Sequence, residues 1–202
     1  MWPPPVDKEK NAEWWSNYWN QNFTKGFGEP SMSLINSIPV PKHNAKAIDI
    51  ASGNGRYAFV LEKMGYKTTA IELSASGAER IKNKARVLSS NMEVIQADFI
   101  ERHEEINNFD ITFCSGLLEE IPVNYHKAVI TGLSNWTIKG GISINRYCLE
   151  IEGRGVLVMD DTILKLYESD RWEIIEFTEN KNLKMSKGGF NLRHGTIVAR
   201  KK

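Results

Sequence analysis

Residues 47–58 read AIDIASGNGRYA, and this stretch decides the fold. The apolar run Lys46–Ala51 is typical of a short buried strand. Apolar side chains then recur at helical spacing, at Tyr57, Val60, Leu61 and Met64. Gly53 and Gly55 lie in the turn between the two patterns. The stretch therefore predicts a strand, a glycine turn and a helix.

The same alternation continues along the chain. Strand patterns occur in KTTAIEL (67–73), MEVIQAD (92–98), FDITFCS (109–115) and GGISINRYCLE (140–150). Helical patterns occur in SASGAERIKNKARVL (74–88) and from about residue 122 to residue 136, with Pro122 near the first turn. Strands that alternate with helices predict an α/β protein with a Rossmann-like, doubly wound sheet that is mostly parallel.

The C-terminal part has a different pattern. DDTILKLYES (160–169) predicts a helix, whereas RWEIIEFTE (171–179) and RHGTIVARKK (193–202) predict strands. The polar, glycine-containing segment between the two strands predicts a loop. Two strands joined in this way pair as an antiparallel hairpin, which we expect to close one edge of the sheet.

The composition limits the class of protein. With 202 residues, 41% of them hydrophobic, one core of ordinary size is expected. A formal net charge of +1 disfavours a nucleic-acid partner. The apolar stretches are strand-sized and the start, MWPPPVDKEK, lacks a leader pattern, so we expect a cytoplasmic protein without membrane contact.

The cysteines and histidines do not indicate a metal site. Cys114 and Cys148 lie within apolar runs, which predicts reduced core residues. The four histidines have no paired metal-ligand spacing, so no metal is expected.

The glycine turn is expected to face a ligand, because ligands of open α/β sheets lie beyond the carboxyl ends of the strands. GNGRYA (53–58) fits a dinucleotide fingerprint, with Glu72 about twenty residues on for a ribose hydroxyl. Asp49 opposes that interpretation, since a carboxylate repels a pyrophosphate at a helix N-terminus. It suits S-adenosylmethionine, which carries an ammonium and a sulfonium and no phosphate.

Four stretches together resemble the class I S-adenosylmethionine-dependent methyltransferases. AIDIASGNGRYA resembles motif I of that superfamily, TAIELS (69–74) the second motif, IQADF (95–99) the third, and TIKGG (137–141) the turn before the fifth strand. The short chain, its ending TIVARKK (196–202) and YESDRWEIIEF (167–177) are similar to the tellurite-resistance (TehB-like) and thiopurine methyltransferase group. The resemblance covers about residues 45–202.

This resemblance implies S-adenosylmethionine as cofactor and S-adenosylhomocysteine as its product. It implies that Glu72 holds both ribose hydroxyls, that Asp98 contacts the adenine amino group and that Phe99 lies beside the ring. Ala51 stands where the motif often has its first glycine, and we expect it at a position that does not need a positive φ. The residues expected at the cofactor are Asp49, Ala51, Ser52, Gly53, Asn54, Gly55, Arg56, Glu72, Leu73, Asp98, Phe99, Ser115 and Trp19.

EWWSNYWNQNF (13–23) concentrates aromatic residues near the N-terminus, and Trp15, Tyr18 and Trp19 fall at near-helical spacing. Similar segments cover the active site in related methyltransferases. We therefore expect residues 1–43 to form a helical aromatic lid and residues 44–202 to form the cofactor-binding methyltransferase domain. The alternative is a helix that packs its aromatic face on the core.

The methyl acceptor is expected to be a small molecule with a sulfur, nitrogen or oxygen nucleophile. Candidates for a catalytic base are Glu119, Glu120, His126 and Tyr18, although the two glutamates equally suit capping of the helix near Pro122. Candidates for substrate binding are Trp15, Tyr18, Arg146 and Tyr147. Arg146 can hold a carboxylate in bidentate fashion or form a salt bridge to a helix.

Two stretches of the sequence lack motifs found in related enzymes, and this limits the substrates that are expected. CSGLLEEIP (114–122) lacks the Asn-Pro-Pro-Tyr or Asp-Pro-Pro-Tyr signature of base-methylating enzymes, which argues against DNA adenine methylation. The loop between the last two strands lacks the histidine-containing pattern of the tellurite-resistance group. The alternative functions are an NAD(P)-dependent oxidoreductase and a non-catalytic S-adenosylmethionine-binding or scaffold protein. We expect the protein to be a monomer or a homodimer.

Overall fold

The structure is a computed structural model that describes residues 8–21, 29–105, 107–152, 155–156, 158–168, 170–184 and 191–202. The chain divides into two compact units, residues 1–102 and 103–202. The helices are α1 (Lys8–Gln21), α2 (Met32–Asn36), α3 (Arg56–Lys63), α4 (Ala75–Val87), α5 (His126–Trp136) and α6 (Asp160–Tyr167). The strands are β1 (Lys46–Ile50), β2 (Lys67–Glu72), β3 (Glu93–Gln96), β4 (Phe109–Ser115), β5 (Thr137–Ile151), β6 (Gly155–Val156), β7 (Trp172–Lys184) and β8 (Asn191–Lys201). Short 3-10 helices span Leu118–Glu120 and Val123–Tyr125.

The first unit is built on three parallel strands in the order β3-β2-β1. Ala47, Ile48 and Ile50 of β1 are fully buried, because both faces of the parallel strands are covered. Ser74 begins α4 as its N-cap, and its hydroxyl accepts a hydrogen bond from the Gly77 N–H. Parallel pairing aligns the carboxyl ends of β1 and β2, where the glycine turn follows β1.

In the second unit, β4 and β5 are parallel, and β8 and β7 are added antiparallel to them. The predicted C-terminal hairpin and the mostly parallel α/β sheet are therefore confirmed. β5 has 15 residues and is paired with β4 only as far as Arg146, opposite Ser115. Its last residues continue past that end of β4, paired with β8 and β6.

Several predicted boundaries were wrong. The segment 137–141, expected to form a turn, is the start of β5, because the Thr137 hydroxyl contacts the Leu133 carbonyl oxygen and the Thr112 hydroxyl in the core. β7 continues to Lys184, into the segment expected to be a loop, and residues 185–190 lie outside the described residues. The sequence pattern also did not predict α2 and β6.

Cys114 and Cys148 are buried, as expected, and neither forms a disulfide within the described residues. None of the helices among the described residues combines the length and the hydrophobicity that a membrane span requires.

Candidate active site

The turn after β1 is held to β1 and β2 by Ser52. The Ser52 hydroxyl donates to the Asp49 and Ile71 carbonyl oxygens, at 2.7 and 3.0 Å, and the Ser52 N–H donates to Ile71 as well. Gly53 and Gly55 have φ of +58° and +75°, a region that glycine adopts without strain. The backbone of the turn therefore has a fixed shape with no Cβ at either glycine.

Asp49 lies under this turn and is almost completely buried. Its Oδ2 accepts a hydrogen bond from the Ala58 N–H in the first turn of α3, at 2.9 Å. Burial raises the pKa of Asp49 to about 7, against the opposing effects of the Ala58 hydrogen bond and the nearby Arg56 guanidinium. The Asp49 carboxyl group thus caps α3, and a nearby cation would stabilise its ionised form.

Glu72, at the end of β2, accepts hydrogen bonds from both sides of the turn. Its Oε2 receives the Gly53 N–H at 2.8 Å, and its Oε1 receives the N–H and hydroxyl of Ser74 at 3.0 and 2.6 Å. Burial is the main cause that raises the pKa of Glu72, and these hydrogen bonds oppose it. Ser74 was not expected here from the sequence, although a serine between a strand and a helix is a typical N-cap signal.

The N-terminus of α3 offers little to a phosphate. The Arg56 N–H donates to Asn54 Oδ1 at 3.3 Å, and the Ala58 N–H already binds the Asp49 carboxyl group. A pyrophosphate needs free amide donors at a helix N-terminus, and two buried carboxyl groups repel it. The geometry therefore fits a cationic ligand and disfavours a dinucleotide.

The remaining predicted cofactor residues of the first unit lie around the same strand ends. Asp98 follows β3, is partly exposed and accepts the Ile100 N–H at 2.8 Å, which fixes the turn that carries it. Phe99 is buried, with 5% of its surface exposed, and Leu73 is partly exposed. Parallel pairing of β2 with β3 places Asp98 and Glu72 at the same edge of the sheet.

The N-terminal helix α1 lies against α4, where the Ser76 hydroxyl donates to the Ser16 carbonyl oxygen at 2.6 Å. Trp19 is buried on the glycine turn: a Cβ built on Gly53 would lie 2.5 Å from the Trp19 Cζ2 atom. Trp15 and Tyr18 are partly exposed and form ring contacts with Trp19. The helix predicted in this region is therefore present, and one of its tryptophans covers Gly53.

Ala51 corrects an expectation from the sequence. Its φ is +56°, in the left-handed region, so this position does favour the glycine that the motif often has. The hydrogen bonds from the Ser52 hydroxyl to the carbonyl oxygens of Asp49 and Ile71 hold the backbone in this conformation.

We expect Ala51→Gly to stabilise the protein by about 1 kcal/mol, because relief of left-handed strain exceeds the entropy that glycine adds to the unfolded chain. For a chain of this size, that corresponds to a rise in Tm of about 2–4 °C, measured by thermal unfolding. Ala58→Gly, inside α3, is the control and should lower Tm. An unchanged or lower Tm for Ala51→Gly would contradict the strained turn.

In the second unit, Glu119 lies in the 3-10 helix that follows β4, with its Oε2 buried and without a hydrogen-bond partner among the described residues. Desolvation raises the pKa of Glu119 to about 7, although the N–H groups of Glu119 and Cys148 and the charge of Arg146 oppose the shift. A carboxyl group of this kind can exchange a proton near neutral pH. Glu120, which is partly exposed, also has a buried oxygen.

Arg146 and Ser115 are partly exposed neighbours where β4 ends, and the Gly116 N–H donates to the Arg146 carbonyl oxygen at 3.0 Å. Within the described residues, the Arg146 guanidinium forms neither an ion pair nor a hydrogen bond. The salt bridge to a helix considered from the sequence is thus not formed there.

Two further predicted site residues are buried. Tyr147 is fully buried, because successive side chains of β5 point to opposite faces and Arg146 takes the accessible one. His126 is buried, its Nε2 lies 2.9 Å from the Leu118 carbonyl oxygen, and burial lowers its pKa. His126 therefore positions the segment that carries Glu119.

Comparisons with known proteins agree with these features. Residues 47–141 match the family described as a methyltransferase domain. A search with the whole sequence finds no curated protein that matches it.

Three solved structures illustrate the similarity of fold. TehB from Haemophilus influenzae has a TM-score of 0.74 at 16% identity, covering 93% of this chain and 67% of that one. A TehB-like SAM-dependent methyltransferase from Corynebacterium glutamicum has a TM-score of 0.68 at 16% identity, covering 96% and 100%. Magnesium protoporphyrin IX methyltransferase from Synechocystis, with bound SAH, has a TM-score of 0.73 at 13% identity, covering 95% and 98%.

Identities of this size show the fold, which is the class I methyltransferase fold that the motifs predicted. Residues 47–141 match the methyltransferase-domain family, and this match together with the fold supports a methyltransferase enzyme.

Proposed function

We propose that this protein transfers a methyl group from S-adenosylmethionine to a small-molecule acceptor in the cytoplasm. One observation carries the proposal: two buried carboxyl groups, Asp49 and Glu72, hold the glycine turn, while two N–H donors in the first turn of α3 are already occupied. This arrangement favours a ligand that is cationic and rich in hydroxyl groups. The bound SAH of the Synechocystis relative supports the same choice of cofactor.

Residues of the first unit would hold the cofactor. Asp49 attracts its amino group, Glu72 accepts from its ribose hydroxyls, and Asp98 with Phe99 binds its adenine. The absence of a Cβ lets Trp19 pack against the turn at Gly53, and Ile81 and Phe59 at Gly55. When bound, S-adenosylmethionine supplies a methyl carbon on a positively charged sulfur that leaves readily.

The lid of this proposal is the N-terminal segment, residues 1–43, of which residues 1–7 and 22–28 lie outside the described residues, and the methyltransferase domain begins at residue 44. Its support is the position of Trp19, which is 2% exposed and lies on Gly53. An aromatic face beside a desolvated cation contributes roughly 1–2 kcal/mol. Exclusion of water by Trp19 and its aromatic neighbours also favours attack by a nucleophile.

The chain's main catalytic work is to align the acceptor, and proximity alone can supply roughly 7–11 kcal/mol. An acceptor that is protonated at neutral pH also needs a base. Of the candidates from the sequence, Glu119 is the best placed, because its carboxyl oxygen is buried without a partner among the described residues. His126 already contacts Leu118, and Tyr18 packs among aromatic rings.

Binding of S-adenosylmethionine is expected to release protons near pH 6.5, because the incoming ammonium favours the ionised form of Asp49, whose pKa is raised to about 7. The release should grow toward pH 5.5 and vanish above about pH 8, where Asp49 is already ionised. Calorimetry in buffers of different ionisation enthalpy measures it.

Asp49→Asn should bind more weakly and lose the buffer dependence, while Asp161→Asn, at an exposed site in α6, should behave as the parent protein. NADH should not bind. Binding of NADH without binding of S-adenosylmethionine would favour the oxidoreductase alternative. Binding of S-adenosylmethionine without turnover of any acceptor would favour the non-catalytic alternative.

A further inference from the structure

The inference rests on the proposed function and concerns its acceptor. We propose that the methyl acceptor is a small zwitterion of the amino acid type, whose amino nitrogen faces Glu119 and whose carboxylate binds Arg146. The observations come from the carboxyl end of β4 and the neighbouring part of β5.

Glu119 and Arg146 lie close enough to interact electrostatically, yet they do not form an ion pair. The Glu119 carboxyl group receives N–H groups from Glu119 itself and from Cys148, and its Oε2 remains buried without a partner in the described part of the chain. An unpaired carboxylate with a buried oxygen is costly, and the partly exposed Arg146 forms no ion pair among the described residues, so a ligand that carries the opposite charge to each would stabilise both groups. A molecule with an ammonium and a carboxylate provides both.

Cys148 shows what this environment does to a nucleophile. Burial raises the pKa of its thiol to about 12, and the charges of Glu119 and Glu120 add to the effect. The negative charges of Glu119 and Glu120 likewise disfavour an anionic nucleophile, such as a thiolate, at this end of β4. The environment therefore favours a nucleophile that is neutral when it attacks, such as an amine.

Arg146 favours a carboxylate over a phosphate as the second group. A planar carboxylate can accept two parallel N–H bonds from a guanidinium. A phosphate dianion gains from the same guanidinium but is repelled more strongly by Glu119 and Glu120. The charged and titratable groups near Glu119 include Arg146, Glu120 and Cys148, and His126 contacts the backbone of the preceding Leu118.

The reaction balances without a further reagent. The Glu119 carboxylate takes one proton from the ammonium, and the free nitrogen lone pair forms a bond to the methyl carbon. The carbon–sulfur bond breaks, and its electron pair stays on sulfur, which becomes the neutral thioether of S-adenosylhomocysteine. The product is an N-methylated ammonium, and Glu119 then loses its proton to water.

The test uses the full chain and a panel of the common amino acids, each with its decarboxylated amine, its N-acetylated derivative and simple thiols. S-adenosylhomocysteine should form with one or more free amino acids and not with the matched compounds that lack either group. Calorimetric titration with the best amino acid should also show binding to the parent protein.

Arg146→Gln should raise KM for the amino acid at least tenfold, with a small change in kcat, and weaken calorimetric binding equally.

Glu119→Gln should lower kcat at pH 7 at least 100-fold, with little change in KM. It should also replace the inflection near pH 7 with a rate that rises into the alkaline range, where free amine is abundant. Arg200→Gln, which breaks an exposed ion pair with Glu173, is the matched control and should change neither constant.

Turnover of thiols or of amines without a carboxylate would overturn the acceptor class, as would binding of S-adenosylmethionine with no turnover of any amino acid. A pH profile of Glu119→Gln like that of the parent protein would overturn its role as the base. If S-adenosylmethionine itself does not bind, the proposed function fails first and the acceptor proposal falls with it.

Discussion

Glu72→Ala is expected to weaken binding of S-adenosylmethionine by at least 100-fold. Hydrogen bonds to a charged group contribute about 1.5–3 kcal/mol each, and loss of two of them to the ribose hydroxyls amounts to about 3 kcal/mol or more. The substitution also leaves the Gly53 N–H and the Ser74 N–H without the acceptor they have now. Calorimetric titration measures the change in Kd.

Glu93→Ala is the matched control, because Glu93 is an exposed carboxylate on β3 that bonds Thr69 on β2, away from the turn. It should bind S-adenosylmethionine as the parent protein does. Glu72→Gln keeps the shape of the side chain and should lose less affinity. If Glu72→Ala proves unstable, Glu72→Gln separates the effect of the lost charge from the effect of a disturbed fold. Equal affinity of Glu72→Gln, Glu93→Ala and the parent protein would remove Glu72 from the cofactor site.

Gly53→Ala is expected to destabilise the protein by about 3 kcal/mol or more and to detach Trp19 from the turn. A positive φ costs an alanine about 1–2 kcal/mol, and the new Cβ would also lie 2.5 Å from the indole. Because Trp19 lies on α1, the helix should become more accessible to protease. Limited proteolysis between residues 8 and 21, together with chemical unfolding, measures both effects.

Gly140→Ala is the control for the cost of a positive φ alone, since Gly140 has φ of +77° and nothing within 4 Å of its Cβ position. It should lower stability by the strain alone and leave α1 as resistant as before. If the two alanine variants lose the same stability and α1 stays protected in both, Trp19 does not pack on Gly53 as described.

Local patterns were sufficient to predict much of the fold. The strand, glycine turn and helix at residues 46–63 follow from apolar spacing and two glycines, and β4 was predicted with the bounds that the structure has. Short elements such as α2 carry too few residues for a periodic signal. The start of β5 was missed because two glycines suggested a turn, whereas the buried Thr112 and Thr137 hydroxyls, 25 residues apart, bond to each other.

The cofactor residues were predictable because they lie close in sequence to strand ends whose order the pattern gave. The strain at Ala51 was not predictable, since no local sequence pattern indicates a positive φ at an alanine. The surroundings of Glu119 depend on the Cys148 N–H and Arg146 from a strand far along the chain. Arg193 likewise bonds Glu150 and Glu179 from two other strands, a set that only the sheet register brings together.

The most direct test of the central claim is a crystal structure of the protein with S-adenosylhomocysteine. The account predicts density for the ligand at the glycine turn, with its ribose hydroxyls on Glu72, its amino group toward Asp49 and its adenine beside Phe99. Density at another place, or a ribose that does not contact Glu72, would contradict it.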